Sequence, residues 1–276
     1  MVPKLDRVPL KILLADDHLL NQKIALLMLQ RLGYQADTAE NGLEVIEALQ
    51  HQPYDVVLLD VQMPEMDGLE AARWICQQMP PHLRPYLIAI TANAMPGDRD
   101  MCLRAGMDHY MSKPIRMQDL GQVLEQCKPL NHAIALVDDH VSPASTKPLT
   151  STTSDPNSLT LDFAVLSSFQ QEMGETGDEV VAELITCYLT EAPRLLQTLH
   201  TAITQHDVKT VQRVAHGLKA SSASLGALCL SQRCRELEAM ALSASIDQIT
   251  VMIASLESEY ECVDTALKQT QFYQAS

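Results

Sequence analysis

Four short apolar runs in the first half of the chain end on groups that can do chemistry. Ile12 to Leu14 leads into Asp16 and Asp17, and Val56 to Leu59 ends on Asp60. Leu87 to Ile90 ends on Thr91, and the run MDHYMSKPI ends near Lys113 and Pro114. Three carboxylates brought to one place repel: two unit charges about 4 Å apart cost roughly 4 kcal/mol at an effective dielectric near 20. A hard divalent cation with oxygen ligands relieves that cost, and Mg²⁺ takes a few protein oxygens and a phosphate oxygen while keeping several waters. A second set lies later, where Arg213, His216 and Lys219 follow one another at three-residue spacing, which makes them neighbours on a helix. An imidazole flanked by two cations, with small Ala and Ser residues beyond it, suits a phosphoryl group of about −1.5 to −2 charge.

Elements must place these groups. Runs this short, apolar and unbroken read as strands buried on both faces, and ligand sites of open parallel sheets lie off the carboxyl ends of their strands. Tyr34 to Ala39 is a weaker strand. Between the strands lie amphipathic segments: His18 to Leu32 with Gly33 as its C-cap, one from Asn41-Gly42, and one from Gly68 to about Gln78. A short helix about Pro96 to Ala105 and a closing one from Arg116 to Cys127 follow. Met63-Pro64 forces a turn and Asp67-Gly68 opens the next helix. Strands alternate with helices five times, which predicts an α/β domain with a parallel sheet covered on both faces. From Leu159 on, the pattern is helical throughout. Segments 162–173, a long one from Asp178 with Pro193 as a candidate kink, one from Asp207, then 227–243 and 246–269 predict an all-α bundle with a four-helix core. In the helix after Asp207, Val211, Val214, Ala215 and Leu218 form the buried stripe, so His216 and Lys219 are expected to face solvent.

The paired acids, the loop from Asp60 to Gly68 reading DVQMPEMDG, Thr91 and Lys113-Pro114 stand in the order and spacing of one family. Roughly the first 125 residues resemble the receiver domain of two-component response regulators. The resemblance implies a flavodoxin-like (βα)5 fold with sheet order 2-1-3-4-5, an order for which a receiver protein is itself a known example. It implies Mg²⁺ held directly by Asp17 and Asp60, through water by Asp16, and by the backbone carbonyl of Gln62. Asp60 is then the nucleophile that forms an aspartyl phosphate. Lys113 supplies fixed positive charge and Thr91 a hydroxyl donor. Tyr110 matches the family's aromatic switch position, paired with Thr91, and reads equally well as a half-buried strand aromatic. Residues 214–227, VAHGLKASSASLGA, resemble the histidine phosphotransfer (HPt) domain, whose motif is approximately H-x-L-K-G-S-S-x-x-L-G. That resemblance covers about 160–270 and implies His216 as phosphoryl carrier with Lys219 beside it. Ala220 departs from the pattern where the family usually has Gly; the glycine here is Gly217. The extra methyl is expected to slow a receiver's approach without abolishing it. The histidines at 18, 51, 82, 109, 132, 140, 200 and 206 lack this context.

The layout read from the sequence is a receiver domain over 1–128, a Ser/Thr/Pro-rich linker over 129–158 and an HPt domain over 159–276. Within the linker, Ile134 to His140 imitates Ile12 to His18, but no D-x-x-M-P loop follows. A flexible linker of this length has an r.m.s. span near 30 Å, so the two domains of one chain can meet. The net charge of −15, acidic in both halves, leaves no basic patch for nucleic acid. Seven scattered cysteines without a C-x-x-C point to reduced thiols in the cytoplasm. No apolar run is long enough to span a bilayer, so direct membrane insertion by this chain is not expected. No glycine-rich ATP box, Walker loop, G-x-S-x-G or H-E-x-x-H occurs, so self-phosphorylation from ATP is not expected. The resemblance implies a phosphorelay protein, like the C-terminal part of a hybrid sensor histidine kinase or a free-standing receiver–HPt protein. Its partners are then a sensor histidine kinase and a downstream response-regulator receiver. Two other functions fit the same residues: a switch in which Asp60 phosphorylation controls partner binding and the bundle is a scaffold, and a phosphate sink.

Overall fold

The computed structural model describes residues 10–91, 96–130, 160–241, 243 and 245–274. The expected linker, apart from residues 129 and 130, and the DDH imitation within it lie outside them.

The first half is a five-stranded sheet, β1 (Ile12–Ala15), β2 (Ala36–Ala39), β3 (Val56–Asp60), β4 (Tyr86–Thr91) and β5 (His109–Ser112), in the order β2-β1-β3-β4-β5. All four pairings are parallel, as expected. Every residue of β1 and β3 is buried, because helices cover both faces. α1 (Leu19–Arg31) and α5 (Met117–Gln126) pack against Ile12, Leu14, Val56, Leu58, Ile88 and Ile90. On the other face, α2 (Gly42–His51) and α3 (Gly68–Gln78) cover Leu13, Val57, Leu59, Leu87 and Ala89. α4 (Pro96–Arg104) lies between β4 and β5 in the chain.

Register does the positioning. Ala15 pairs with Leu59, so Asp16 and Asp60 leave the sheet at one level. Asp60 pairs with Ile90, the residue before Thr91. Thr91 pairs with Ser112, the residue before Lys113. Four groups scattered along the chain therefore meet at one sheet edge.

The second half is helical: α6 (Phe163–Met173), a 3-10 turn at Gly174–Thr176, α7 (Gly177–Thr204), α8 (Val208–Ser224), α9 (Leu228–Met240), α10 (Ile246–Lys268) and a last turn, α11 (Gln271–Gln274). Asp162, Asp207 and Ser245 cap α6, α8 and α10 through side-chain oxygens, Ser245 with Gln248 in a capping box. α7 is continuous through Pro193. The proline removes one backbone hydrogen bond, while Ala192 and Leu196 on either side stay buried in the core. Tyr188 Oη and Ser222 Oγ, 2.9 Å apart, tie α7 to α8. None of the seven cysteines forms a disulfide. Among the described residues no helix is long and apolar enough to cross a membrane.

The two halves share one apolar core. α1 packs on α7 and α8, and Leu20, Ile24 and Met28 join Leu184, Ile185 and Tyr188 in a single cluster. At the rim Lys23 Nζ donates to Glu183 Oε1 at 2.5 Å. Tertiary docking therefore sets what surrounds the polar face of α8.

Candidate functional site

At the sheet edge, Asp16 and Asp60 are almost fully buried, Asp60 at 1% exposure. Lys113 Nζ bridges them, donating to Asp16 Oδ2 at 2.7 Å and to Asp60 Oδ2 at 2.6 Å. The other oxygen of Asp60 accepts from the backbone N–H of Gln62 at 3.2 Å. The loop after Asp60 can turn this tightly only with a glycine at 68, because a Cβ there would run into the carbonyl oxygen of Asp60. Asp67 then starts α3 by accepting from the N–H of Glu70 at 2.7 Å. Asp16 Oδ1 accepts from the His18 N–H at 2.9 Å and from Asn21 Nδ2 at 3.2 Å.

The electrostatics follow from burial and pairing. Burial pushes the Asp60 carboxyl up, while Lys113 pulls it down. Burial works against the charge on Lys113, but Asp16 and Asp60 outweigh it and hold the amine well above its ordinary value. Burial also penalises Asp17, and its hydrogen bond and charge attraction to His18 more than offset that, so its carboxyl is lowered. His18 Nδ1 sits 2.6 Å from Asp17 Oδ1. Burial lowers the imidazole of His18, and the bond to Asp17 reverses the sign, so it is raised.

Thr91 is buried at the end of β4, and its carbonyl accepts from the Lys113 N–H at 2.7 Å. Tyr110 is half-buried on β5, with the Arg99 guanidinium 5.5 Å from its ring centre. Gln62 is exposed on the loop after Asp60. Of the expected set, Asp16, Lys113 and the Gln62 N–H meet at Asp60, and Thr91 lies at the same sheet edge. Ligand atoms of Asp16, Asp17 and His18 lie within 4.8 Å of one another. The carboxylates of Asp16, Asp17 and Asp60 are oxygen donors of the kind a hard cation such as Mg²⁺ prefers, and Lys113 bridges two of them.

His216 is 5% exposed and Lys219 4%, which overturns the expectation that both face solvent. They do lie off the apolar stripe of α8, but Glu238 of α9 meets both side chains, and the loop after β1 packs on the same helix. Arg213 Nη1 reaches Asp17 Oδ2 at 3.5 Å, and the His18 ring lies against Gly217. His216 Nδ1 is 2.7 Å from Glu238 Oε1. Lys219 Nζ donates to Glu238 Oε2 at 2.5 Å and lies 3.4 Å from His216 Nδ1. In the tautomer that donates from Nδ1 to Glu238, Nε2 carries the lone pair. Burial raises the carboxyl of Glu238, yet the hydrogen bonds from His216 and Lys219 leave it lowered. His216 Nε2 is buried with no hydrogen-bond partner among the described residues. His216 stands close enough to Asp60 that a charge on its imidazole would pull the carboxyl down. The two serines after Lys219 are structural: Ser222 bonds Tyr188, and Ser221 Oγ donates to the carbonyls of Gly217 and Leu218.

Two residues of this site went unseen in the sequence. His18 was set aside with the other histidines, although it follows the acidic pair directly. Glu238 had a faint signal: it lies four residues after the buried Cys234, at the edge of the apolar stripe of α9.

Residues 12–125 match the family model of the response regulator receiver domain, and residues 183–269 match that of the Hpt domain. Over 251 residues, 91% of its length, the chain is 27% identical to the aerobic respiration control sensor protein ArcB of Escherichia coli, covering 30% of that protein. It is 42% identical over 124 residues, 44% of its length, to hybrid signal transduction histidine kinase H of Dictyostelium discoideum, covering 9% of it. The chain thus spans less than a third of the length of either relative. A solved receiver domain of the sensor histidine kinase PA1611 of Pseudomonas aeruginosa, with a magnesium ion in its active-site cleft, is 37% identical. It aligns with 43% of this chain and 97% of its own, at a TM-score of 0.40.

Proposed function

We propose that this chain, a receiver domain followed by an Hpt domain, works in a two-component phosphorelay and that phosphoryl passes between Asp60 and His216 of the same chain. The observation that carries this reading is Nε2 of His216, buried beside the Asp60 site with no hydrogen-bond partner among the described residues. A buried polar atom left unpaired is costly, and an incoming phosphoryl group gives it a bond.

Asp60 accepts phosphoryl on a carboxylate oxygen. The Nε2 lone pair of His216 then attacks phosphorus, the P–N bond forms, and the P–O bond to Asp60 breaks with its electron pair returning to the carboxylate. Positive charge grows on the imidazole as it reacts. Glu238 at Nδ1 holds the reactive tautomer and balances that charge, and Lys219 keeps Glu238 in place. Lys113 neutralises the released Asp60 carboxylate. Thr91, at the same edge, supplies its hydroxyl to a phosphoryl oxygen, and Thr91 with Tyr110 forms the switch face. Asp16, Asp17, Asp60 and the carbonyl of Gln62 would hold Mg²⁺, which supplies charge neutralisation on the phosphoryl oxygens. Upstream the phosphoryl comes from a sensor histidine kinase, and downstream it goes to another receiver. In this reading the receiver is residues 1–128, the connector 129–158 and the bundle 159–276, all on the cytoplasmic side.

The test uses acetyl phosphate and Mg²⁺ with the intact chain, Asp60→Asn and His216→Gln, separating acid-labile phosphohistidine from base-labile acyl phosphate. Phosphohistidine in the intact chain that vanishes in Asp60→Asn is the expected result. Acyl phosphate on Asp60 with none on His216 in the intact chain defeats the internal relay.

A further inference from the structure

The His18 ring lies where a side chain on residue 217 would be. A Cβ built on Gly217 would coincide with Nε2, Cε1 and Cδ2 of His18. The ring cannot step aside freely, because Nδ1 is held 2.6 Å from Asp17 and the side chain is buried. Gly217 itself is buried in α8, one residue after His216. Glycine is a poor helix former, so its presence in mid-helix calls for a reason that local structure does not supply.

We infer that His18 and Gly217 form a size-matched pair that decides which receiver surface can dock on α8 over His216. A receiver with a flat ring after its acidic pair fits a bundle with glycine after its histidine. Any L side chain at 217 holds α8 off the β1–α1 loop and so moves His216 away from Asp60. The matching is a property of two residues in two domains, so each change should be reversible by a compensating change in the other. The role in choosing phosphoryl partners rests on the relay proposed above; the docking role does not.

The experiment uses the full chain without phosphate, as wild type, Gly217→Ala and Gly217→Ala with His18→Ala. Alanine is the better helix former, so loss of the bundle does not explain an effect of the single variant, and circular dichroism checks this. The readout is modification of His216 by diethyl pyrocarbonate, followed by mass spectrometry of its peptide. Gly217→Ala should raise the rate about tenfold or more, the scale of one overpacked contact. Removing the ring in the double variant should bring the rate back toward wild type. Equal rates in wild type and Gly217→Ala overturn the inference, and so does a double variant as reactive as the single one. Transfer from preformed Asp60 acyl phosphate is followed in the same three proteins and should track the protection. If protection follows the pair while wild type transfers nothing to His216, the relay falls and the docking pair stands.

Discussion

Asp60 and His216 are both buried and each has a lysine nearby, but the chain assembles them in different ways. The Asp60 site is collected from the ends of β1, β3, β4 and β5, and both of its carboxylate oxygens are engaged, by Lys113 and by the Gln62 N–H. The His216 site comes from one helix and one acid on the next, and it leaves a nitrogen unpartnered among the described residues. A cluster of like charges needs long-range register to force it together and a cation to hold it. A histidine nucleophile needs helical spacing and a single carboxylate at its other nitrogen. The anionic site therefore depends on the whole sheet, and the histidine site depends on its cover.

The largest break in this comparison is expected at Lys113. Lys113→Ala leaves Asp16 and Asp60 buried without their counter-charge and should lower stability by about 3–5 kcal/mol, measured by urea unfolding in a chelator. A divalent cation should return part of that loss by binding the folded state, and acyl phosphate formation should remain depressed. Glu238→Gln probes the other site. It keeps the shape but removes the charge at Nδ1, and the rate of phosphohistidine formation should fall by about 100-fold, the lower end for a positioned proton partner. The acyl phosphate on Asp60 should accumulate as the histidine signal drops.

The acid limb sharpens the contrast. Glu238 is lowered in the folded protein, below its ordinary 4.5. Its stabilising contribution is complete above that ordinary value and is lost as pH falls through the lower folded value. Acid unfolding of Glu238→Gln should therefore be less steep below pH 4.5 than that of wild type. The smallest effect belongs to the rim. The Lys23–Glu183 pair is partly exposed, and such pairs contribute about 0.2–1 kcal/mol. Lys23→Ala should change the protection of His216 by less than about fivefold, and a larger change would mean that the rim, and not the buried α1 face, holds the halves together.

Much of this was legible in local sequence. Val56 to Leu59 had to be a strand buried on both faces, since a run so short and apolar has no other stable place. The order of Asp16, Asp17, Asp60, Thr91 and Lys113 along the chain announced one sheet edge, and the register bears out their convergence. The stripe of Val211, Val214, Ala215 and Leu218 on α8 is buried as its spacing requires. His216 and Lys219 were misjudged because periodicity reports only which face meets the helix's own core. What covers the opposite face is decided by other elements, here α9 with Glu238 and the loop after β1 with His18. Pro193 was read for its local cost, but packing on both sides keeps α7 in one piece.

The sequence by itself determined which groups could carry phosphoryl chemistry and which secondary elements would hold them. Those properties depend on side-chain type and on short-range periodicity, which any one stretch of chain contains. Only the tertiary structure decided that His216 is buried, that Glu238 meets its Nδ1 and that Gly217 makes room for His18. Each of these is a contact between residues far apart in sequence, set by how two independently patterned surfaces fit, and no single stretch carries that fit.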